Sequence, residues 1–260
     1  MGGDRTTWGL VLATTMLLAA TASATPSTQV WVPSTDIQKA GTLHLNYDVY
    51  ARPGKTAVLM LGPTVGLLPF EKVQAEAGFD LIFQGNSDLD DRPFYGHLKL
   101  ATPEDAAFVW SPAIAVGIYN VGTNQTGSGP SLTGQNIGYA LAARTLPYVG
   151  RLTVGWFYAN PEVFRNENGA RANQGLVASW DRTLTEVTDK LWVAVDYQGS
   201  RSMLGAVNAG VAWSFASNVS VIVGYDHYLN RMVAGKDTFT VQLDVNLAPF
   251  ESPPAAPPES

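Results

Sequence analysis

Hydrophobic and polar residues alternate along most of this chain, and this two-residue period constrains the fold more than any other feature. The clearest segment is Thr238–Leu247, where Phe, Val and Leu at every second position alternate with Thr, Gln, Asp and Asn. Successive side chains of a β-strand point to opposite faces of the sheet. The period therefore predicts strands with one apolar and one polar face, and it argues against a helical protein.

Twelve segments carry this pattern, some of them in a weaker form. They span 42–50, 56–67, 72–81, 94–101, 112–121, 135–144, 150–160, 173–182, 190–198, 204–215, 219–228 and 238–247. Tilted strands of about 9–11 residues match the hydrocarbon thickness of a bilayer. An even number of strands with an apolar exterior is typical of outer-membrane barrels. A soluble barrel has the same period with its faces reversed, so the period alone does not decide between the two.

Two further features favour the membrane barrel. Aromatic residues lie on the apolar faces near the strand ends, where lipid headgroups would surround them. They are Phe79, Tyr158, Trp180, Tyr197, Trp213, Phe215, Tyr225 and Phe239. The polar faces carry glycine where a water-exposed face usually carries Lys or Glu. These positions are Gly78, Gly138, Gly155, Gly175, Gly210 and Gly224. We therefore predict an all-β, antiparallel up-and-down transmembrane β-barrel of about twelve strands, with a polar lumen and an apolar exterior.

Composition excludes several classes of function. Charged residues make up 15% of the chain, well below the ~25% usual in soluble domains, and the formal net charge is −6. An acidic chain without a basic run repels phosphate, so no nucleic acid partner is expected. The absence of Cys excludes disulfides, thiolate catalysis and Cys-ligated metals.

Segments outside the strands suggest how the chain is divided. Residues 1–24 are predicted to be a signal peptide, because a short apolar run precedes a small-residue site with cleavage after Ala24. Residues 25–40 are expected to form an N-terminal periplasmic segment, and 41–247 the barrel domain. The tail at 248–260 has five Pro in thirteen residues, which predicts disorder.

Most connections between strands alternate in length, and the connections at 102–111 and 183–188 are the two exceptions. With both chain termini in the periplasm, the longer polar connections fall outside the cell and the short turns fall in the periplasm, as in known outer-membrane barrels. The long connections are 84–93, 122–134, 160–172 and 229–236, and the short ones include 68–69, 147–148 and 216–218.

Charged side chains on the polar faces are the candidate functional residues. The residues expected to line the lumen are His44, Asp48, Lys72, Glu76, Asp80, Lys99, Arg144, Arg151, Asp181, Lys190, Asp196, Asp226 and Asp244. One interpretation is that these charges pair across the lumen and lock it. The other is a narrow passage that prefers cations, because wall charges select ions at close range. We favour pairing, since mixed charges in a small barrel usually pair.

Catalytic and metal motifs are weak in this sequence. The chain has three histidines, His44, His97 and His227, and it contains no G-x-S-x-G, His-x-Ser or HExxH motif. No catalytic residue, metal site or cofactor is assigned on this basis. A lipid hydrolase that uses His44 or His97 remains a minor alternative.

Several short sequence segments resemble those of a group of uncharacterised bacterial exported proteins regarded as outer-membrane β-barrels. The matching stretches are 29–36 (QVWVPSTD), 66–78 (GLLPFEKVQAEAG), 177–182 (VASWDR), 190–199 (KLWVAVDYQG) and 235–244 (GKDTFTVQLD). The resemblance covers most of 29–247. It implies the outer membrane and a barrel, and it implies no known reaction or ligand.

Together these observations predict a non-enzymatic, porin-like pore or transport protein for small solutes in the bacterial outer membrane. A plugged structural barrel that displays the loops at 122–134 and 160–172 is the alternative of a different class. The expected partners are outer-membrane lipid, the barrel-assembly machinery during insertion, and small solutes.

Overall fold

In the computed structural model the chain forms one closed barrel of twelve antiparallel strands. The strands are β1 (Leu43–Ala51), β2 (Val58–Gly66), β3 (Gln74–Gln84), β4 (Phe94–Thr102), β5 (Ala113–Gly122), β6 (Gly134–Leu146), β7 (Gly150–Tyr158), β8 (Gln174–Thr183), β9 (Leu191–Gln198), β10 (Ala206–Ala216), β11 (Val219–Tyr228) and β12 (Thr238–Leu247). Each strand pairs with its neighbours in sequence, and β1 pairs with β12 to close the barrel. The predicted up-and-down barrel of about twelve strands is confirmed.

The structure describes residues 27–84, 94–123 and 133–247. The predicted signal peptide at 1–24 and the predicted tail at 248–260 lie outside the described residues. We call the end of the barrel where β1 begins and β12 ends the terminal end, and the opposite end the loop end. A four-residue helix, α1 (Arg231–Ala234), lies at the loop end. Among the described residues, no helix combines the length and hydrophobicity required to cross a bilayer.

An apolar belt surrounds the outside of the barrel. Val211, Val223 and Val241 are neighbours across β10, β11 and β12, and all three are exposed. Aromatic rings lie next to this belt towards the loop end, where Tyr225 and Phe239 have ring centroids 5.1 Å apart. A surface of this kind is stable against lipid chains and costly in water. The apolar faces of the strands therefore face the membrane.

The lumen has an apolar sector and a polar sector. Ile137, Leu141, Phe157 and Val177 are buried in the apolar sector, which β5 to β11 form. The N-terminal hairpin, residues 27–41, packs against this sector. Its turn is closed by a hydrogen bond of 2.8 Å from Gln29 N to Val32 O.

The position of the hairpin differs from the periplasmic segment expected at 25–40, because residues 29–38 contact lumen-facing side chains of the barrel wall. Two glycines make room for the turn of the hairpin. A Cβ atom at Gly210 would lie 2.7 Å from Cγ2 of Val30, and one at Gly224 would lie 2.9 Å from Cγ1 of Val30. The missing side chains at these two positions therefore leave space for the hairpin to pack against the inner wall of the barrel.

The 159–173 connection folds over the loop end of the barrel. Phe164 is buried in the same apolar cluster as Val32 of the hairpin. Glu167 accepts a hydrogen bond from Asn230 and forms an ion pair of 2.7 Å with Arg201. A hydrogen bond from its own backbone and the one from Asn230 lower the pKa of Glu167. The connection is thus tied to the neighbouring loops at this end.

Candidate functional site in the lumen

A buried carboxylate holds the turn of the hairpin. Oδ2 of Asp196 accepts hydrogen bonds of 2.9 Å from the backbone N–H groups of Val30 and Trp31. Oδ1 of Asp196 accepts a hydrogen bond of 2.6 Å from Asn208. Asp196 therefore satisfies the backbone donors that a tight turn leaves unpaired.

A second group of charges holds the segment that follows the turn of the hairpin. The Arg151 guanidinium pairs with Asp36 of the hairpin and lies 3.0 Å from Oδ1 of Asp181 on β8. Asp181 also accepts hydrogen bonds from Gln29 at 2.9 Å and from Trp192 at 3.2 Å. The network joins the hairpin to β7, β8 and β9.

The ion pair of Glu76 and Lys99 anchors both ends of the hairpin. The two residues are cross-strand neighbours on β3 and β4, and Lys99 Nζ lies 3.0 Å from Oε1 of Glu76. Lys99 also donates to the carbonyl oxygens of Ser27 at 2.9 Å and Asp36 at 2.6 Å. Oε2 of Glu76 accepts a hydrogen bond of 2.8 Å from Gln38 N. The pair is buried, so its charges depend on these partners.

The polar sector of the lumen contains a cavity of about 840 Å³. Residues of β1 to β4, β12 and the hairpin line most of its wall, and Arg52, Lys55 and Lys236 line its wall at the loop end. The hairpin therefore fills one side of the barrel, and the cavity lies on the other side.

Three carboxylates surround Asn46 in this cavity, and we call Asp48, Asp80 and Asp244 the carboxylate cluster. Asn46 lies opposite Asp244 in the pairing of β1 with β12, and its Nδ2 lies 3.3 Å from Oδ1 of Asp80. Asp80 reaches across Gly62, where a Cβ atom would lie 2.4 Å from Oδ1 of Asp80. The missing side chain at Gly62 thus lets carboxylates from β1, β3 and β12 approach one another.

Two histidines border the carboxylate cluster towards the terminal end. Nε2 of His44 lies 3.2 Å from Oδ1 of Asp244, and Nδ1 of His97 lies 3.4 Å from Oδ2 of Asp80. Nε2 of His97 is 2.8 Å from the Thr64 hydroxyl. Thr64, His97 and Asp80 therefore occur in the order of a hydrolase triad.

The surroundings of Thr64 do not suit a nucleophile. Thr64 is buried inside β2 and has ladder partners on both β1 and β3, and Pro63 before it has no N–H group. The backbone around Thr64 is committed to the sheet and does not offer the preorganised donors that acyl transfer needs. We interpret the contact as a polar network and assign no catalytic residue.

The remaining predicted lumen residues have different environments. Asp226 is buried in the lumen and accepts a hydrogen bond of 2.6 Å from Thr238. Lys72 and Lys190 lie on connections at the terminal end and are exposed, because β3 begins at Gln74 and β9 begins at Leu191. The structure therefore places both lysines outside the lumen.

Arg144 is on the outer face of the barrel, opposite Leu152, and not in the lumen. It pairs with Glu104 at 3.3 Å and Asp105 at 2.8 Å, and its guanidinium lies 4.5 Å from the centroid of the Trp110 ring. The hydrogen bond from Arg144 lowers the pKa of Asp105. Arg144 thus fixes the 103–112 connection at the terminal end.

An aromatic group above the carboxylate cluster was not anticipated. Trp31 of the hairpin makes edge contacts with Tyr50, at 5.7 Å between centroids, and with Tyr228, at 5.9 Å. The Arg52 guanidinium lies 5.4 Å from the centre of the Tyr228 ring. The alternation of β1 places Tyr50 on the same polar face as Asp48, so the sequence could have indicated that Tyr50 faces the lumen. Trp31 lies outside the alternating segments, and no pattern in the sequence indicates its position.

Within the described part of the chain, no group of three His, Asp or Glu side chains is close enough to hold a metal ion.

Known proteins resemble this chain in fold and not in sequence. No protein-family profile and no curated protein matches this sequence. The chain is similar to the KdgM porin, with a TM-score of 0.51 and 7% identity over 80% of this chain and 99% of that chain. The KdgM porin in complex with disordered oligogalacturonate has a TM-score of 0.50 with the same identity and coverage. An outer membrane channel from Pseudomonas putida F1 has a TM-score of 0.47 and 10% identity, over 81% of this chain and 96% of that chain. At such identities the likeness to the KdgM porin shows a shared barrel fold and transfers no ligand.

Proposed function

We propose that this chain is a non-enzymatic outer-membrane pore for small solutes, which the N-terminal hairpin narrows and whose remaining passage prefers cations. The observation that carries the proposal is the cavity of about 840 Å³ beside the hairpin. The apolar belt, the fold shared with the KdgM porin and the predicted signal peptide support the outer membrane as its location. Lipid and the barrel-assembly machinery are then its partners, and the terminal end faces the periplasm.

The preference for cations follows from the charges in the cavity wall. Within the strands, the wall contains four carboxylates, Asp48, Glu76, Asp80 and Asp244, and one lysine, Lys99, which already pairs with Glu76. Wall charges act strongly on ions in a narrow, low-dielectric passage. The basic groups at the loop end lie outside the strands, where salt screens exposed lysines.

Removing two of these carboxylates tests the proposal. The double variant Asp48→Asn with Asp80→Asn is expected to shift the reversal potential in a KCl gradient towards zero, because the wall loses negative charge. Purified protein in planar bilayers provides the measurement. The matched control, Glu186→Gln with Asp189→Asn, changes the same charge on an exposed connection and should leave the potential unchanged. Absence of ion conductance in the unmodified protein would rule out the pore.

A plugged structural barrel is the second candidate, and the network that holds the hairpin favours it. Asp196, Arg151, Lys99 and Glu76 all bind the hairpin from the wall, which is more than a loosely held segment needs. In this case the ion pairs lock the lumen, as the pairing interpretation of the sequence expects.

Deleting residues 28–38 separates the two candidates. A narrowed pore should conduct before the deletion and show a several-fold larger conductance after it, because the hairpin no longer fills one side of the lumen. A plugged barrel should be silent before the deletion and conduct only after it. Heat-modified gel mobility of the variant checks that the barrel still forms. Equal conductance with and without residues 28–38 would contradict both.

A further inference from the structure

We infer that the cavity binds an organic ammonium ion: the carboxylate cluster receives the charged head, and Trp31 and Tyr50 contact the apolar body. The inference rests on the proposed pore, of which it names the class of solute.

Buried carboxyl groups with unfilled hydrogen-bonding capacity in the cavity wall are the first support. Asp48 is 6% exposed and has no cationic group within ion-pair distance among the described residues. Asp244 is 3% exposed, and its Oδ2 accepts no hydrogen bond from the described residues, although its Oδ1 faces His44. Buried carboxylate oxygens without partners are costly. A bound cation supplies the missing donors.

The spacing of the cluster suits an ammonium group. In the pairing of β1 with β12, Asp244 lies opposite Asn46 and Asp48 is the next residue on the same face of β1, so Asp48 and Asp244 are diagonal neighbours whose Cα atoms are about 7–8 Å apart. Asn46 holds Asp80 on the other side. An ammonium group has three donors that point in different directions, so it can bond to carboxylate oxygens that converge on it from different strands. Among the described residues, no group of three His, Asp or Glu side chains is arranged to hold a metal ion.

Aromatic side chains in the cavity can pack against the apolar body of the ligand. Tyr50 follows Asp48 on the same face of β1, about 6.6–6.8 Å further along the strand, and Met60 lies opposite Asp48 on β2. Trp31 contacts the Tyr50 ring and lines the same cavity. Aromatic faces attract cations and also pack well against apolar groups.

The position of Arg52 sets the orientation of the ligand. Its guanidinium covers the Tyr228 ring and repels a second cation at that end of the cavity. The ammonium head is therefore directed down to the carboxylate cluster, with the apolar body above it at Trp31 and Tyr50.

Calorimetric titration of the detergent-solubilised protein tests the inference with three probes that share one ring. The probes are 2-phenylethylammonium chloride, 2-phenylethanol and sodium phenylacetate, which are cationic, neutral and anionic. We expect binding of the ammonium ion and no measurable binding of the other two. Asp48→Asn should weaken binding at least about tenfold, because a hydrogen bond to a charged group is lost. Asp80→Asn serves as the second variant if the first does not fold, and Asp189→Asn on an exposed connection is the matched control.

The outcomes separate this inference from the proposed pore. Equal affinity for the alcohol and the ammonium ion, or unchanged affinity in both cavity variants, would overturn the inference. Ion conductance without ammonium binding would keep the pore and refute the ligand class. Ammonium binding without conductance would keep the site and refute the pore.

Discussion

Lys99→Met is expected to lower the free energy of unfolding by about 3–5 kcal/mol, the usual cost of removing one partner of a buried ion pair. The substitution leaves the Glu76 carboxylate without its cation, and the carbonyl oxygens of Ser27 and Asp36 lose their donor. Urea titration in phospholipid vesicles, followed by tryptophan fluorescence, measures the change.

Two variants show whether the burial of this pair is responsible. Adding Glu76→Gln to Lys99→Met should recover part of the loss, since no buried charge then remains unpaired and the glutamine oxygen can still accept from Gln38 N. Arg182→Met breaks an ion pair of 2.8 Å with Glu186 on a more exposed connection. It should cost less than about 1 kcal/mol. Equal losses for Lys99→Met and Arg182→Met would show that the Glu76 pair is not buried in the folded protein.

Val195→Arg is expected to cost about 2–4 kcal/mol, because it places a guanidinium on the lipid-facing side near the middle of β9. The matched control is Val187→Arg, the same substitution on an exposed connection at the terminal end. It should change stability by less than about 0.5 kcal/mol. The same urea titration measures both variants. Equal costs at the two positions would mean that the apolar belt does not face lipid.

The strands could be predicted from the sequence because one rule governs most of the barrel. Where the lumen is polar, as along β1 and β12, lipid on one side and polar groups on the other impose strict alternation. Thr238–Leu247 follows this rule without exception, and its predicted bounds are those of β12. The clustering of Asp48, Asp80 and Asp244 needed more than the period, since it depends on the register of β1 with its two neighbours and on the gap at Gly62.

The rule failed on β6, for a reason that the structure makes plain. Ile137 and Leu141 point into the lumen and Arg144 points outwards, the reverse of the predicted faces. The lumen is apolar at this position because the hairpin packs there, so both faces of the strand can be apolar. Positive φ angles at Asn120 and Asn136 accompany the irregular pairing of β5 with β6. Where the hairpin makes the lumen apolar, hydrophobic alternation does not show which side of a strand faces the lumen and which faces lipid.

The internal hairpin also has a consequence for how the chain reaches this structure. Its hydrogen bonds join residues that are far apart in sequence: Gln29 and Asp181 are separated by 152 positions, and Val30 and Gln242 by 212 positions. Contacts of such long range form slowly, because the entropy of the intervening chain is lost before they stabilise anything. The hairpin meets its partners only when β8 to β12 have assembled. We therefore expect its docking to occur in the last stage of folding, together with closure of the seam between β1 and β12.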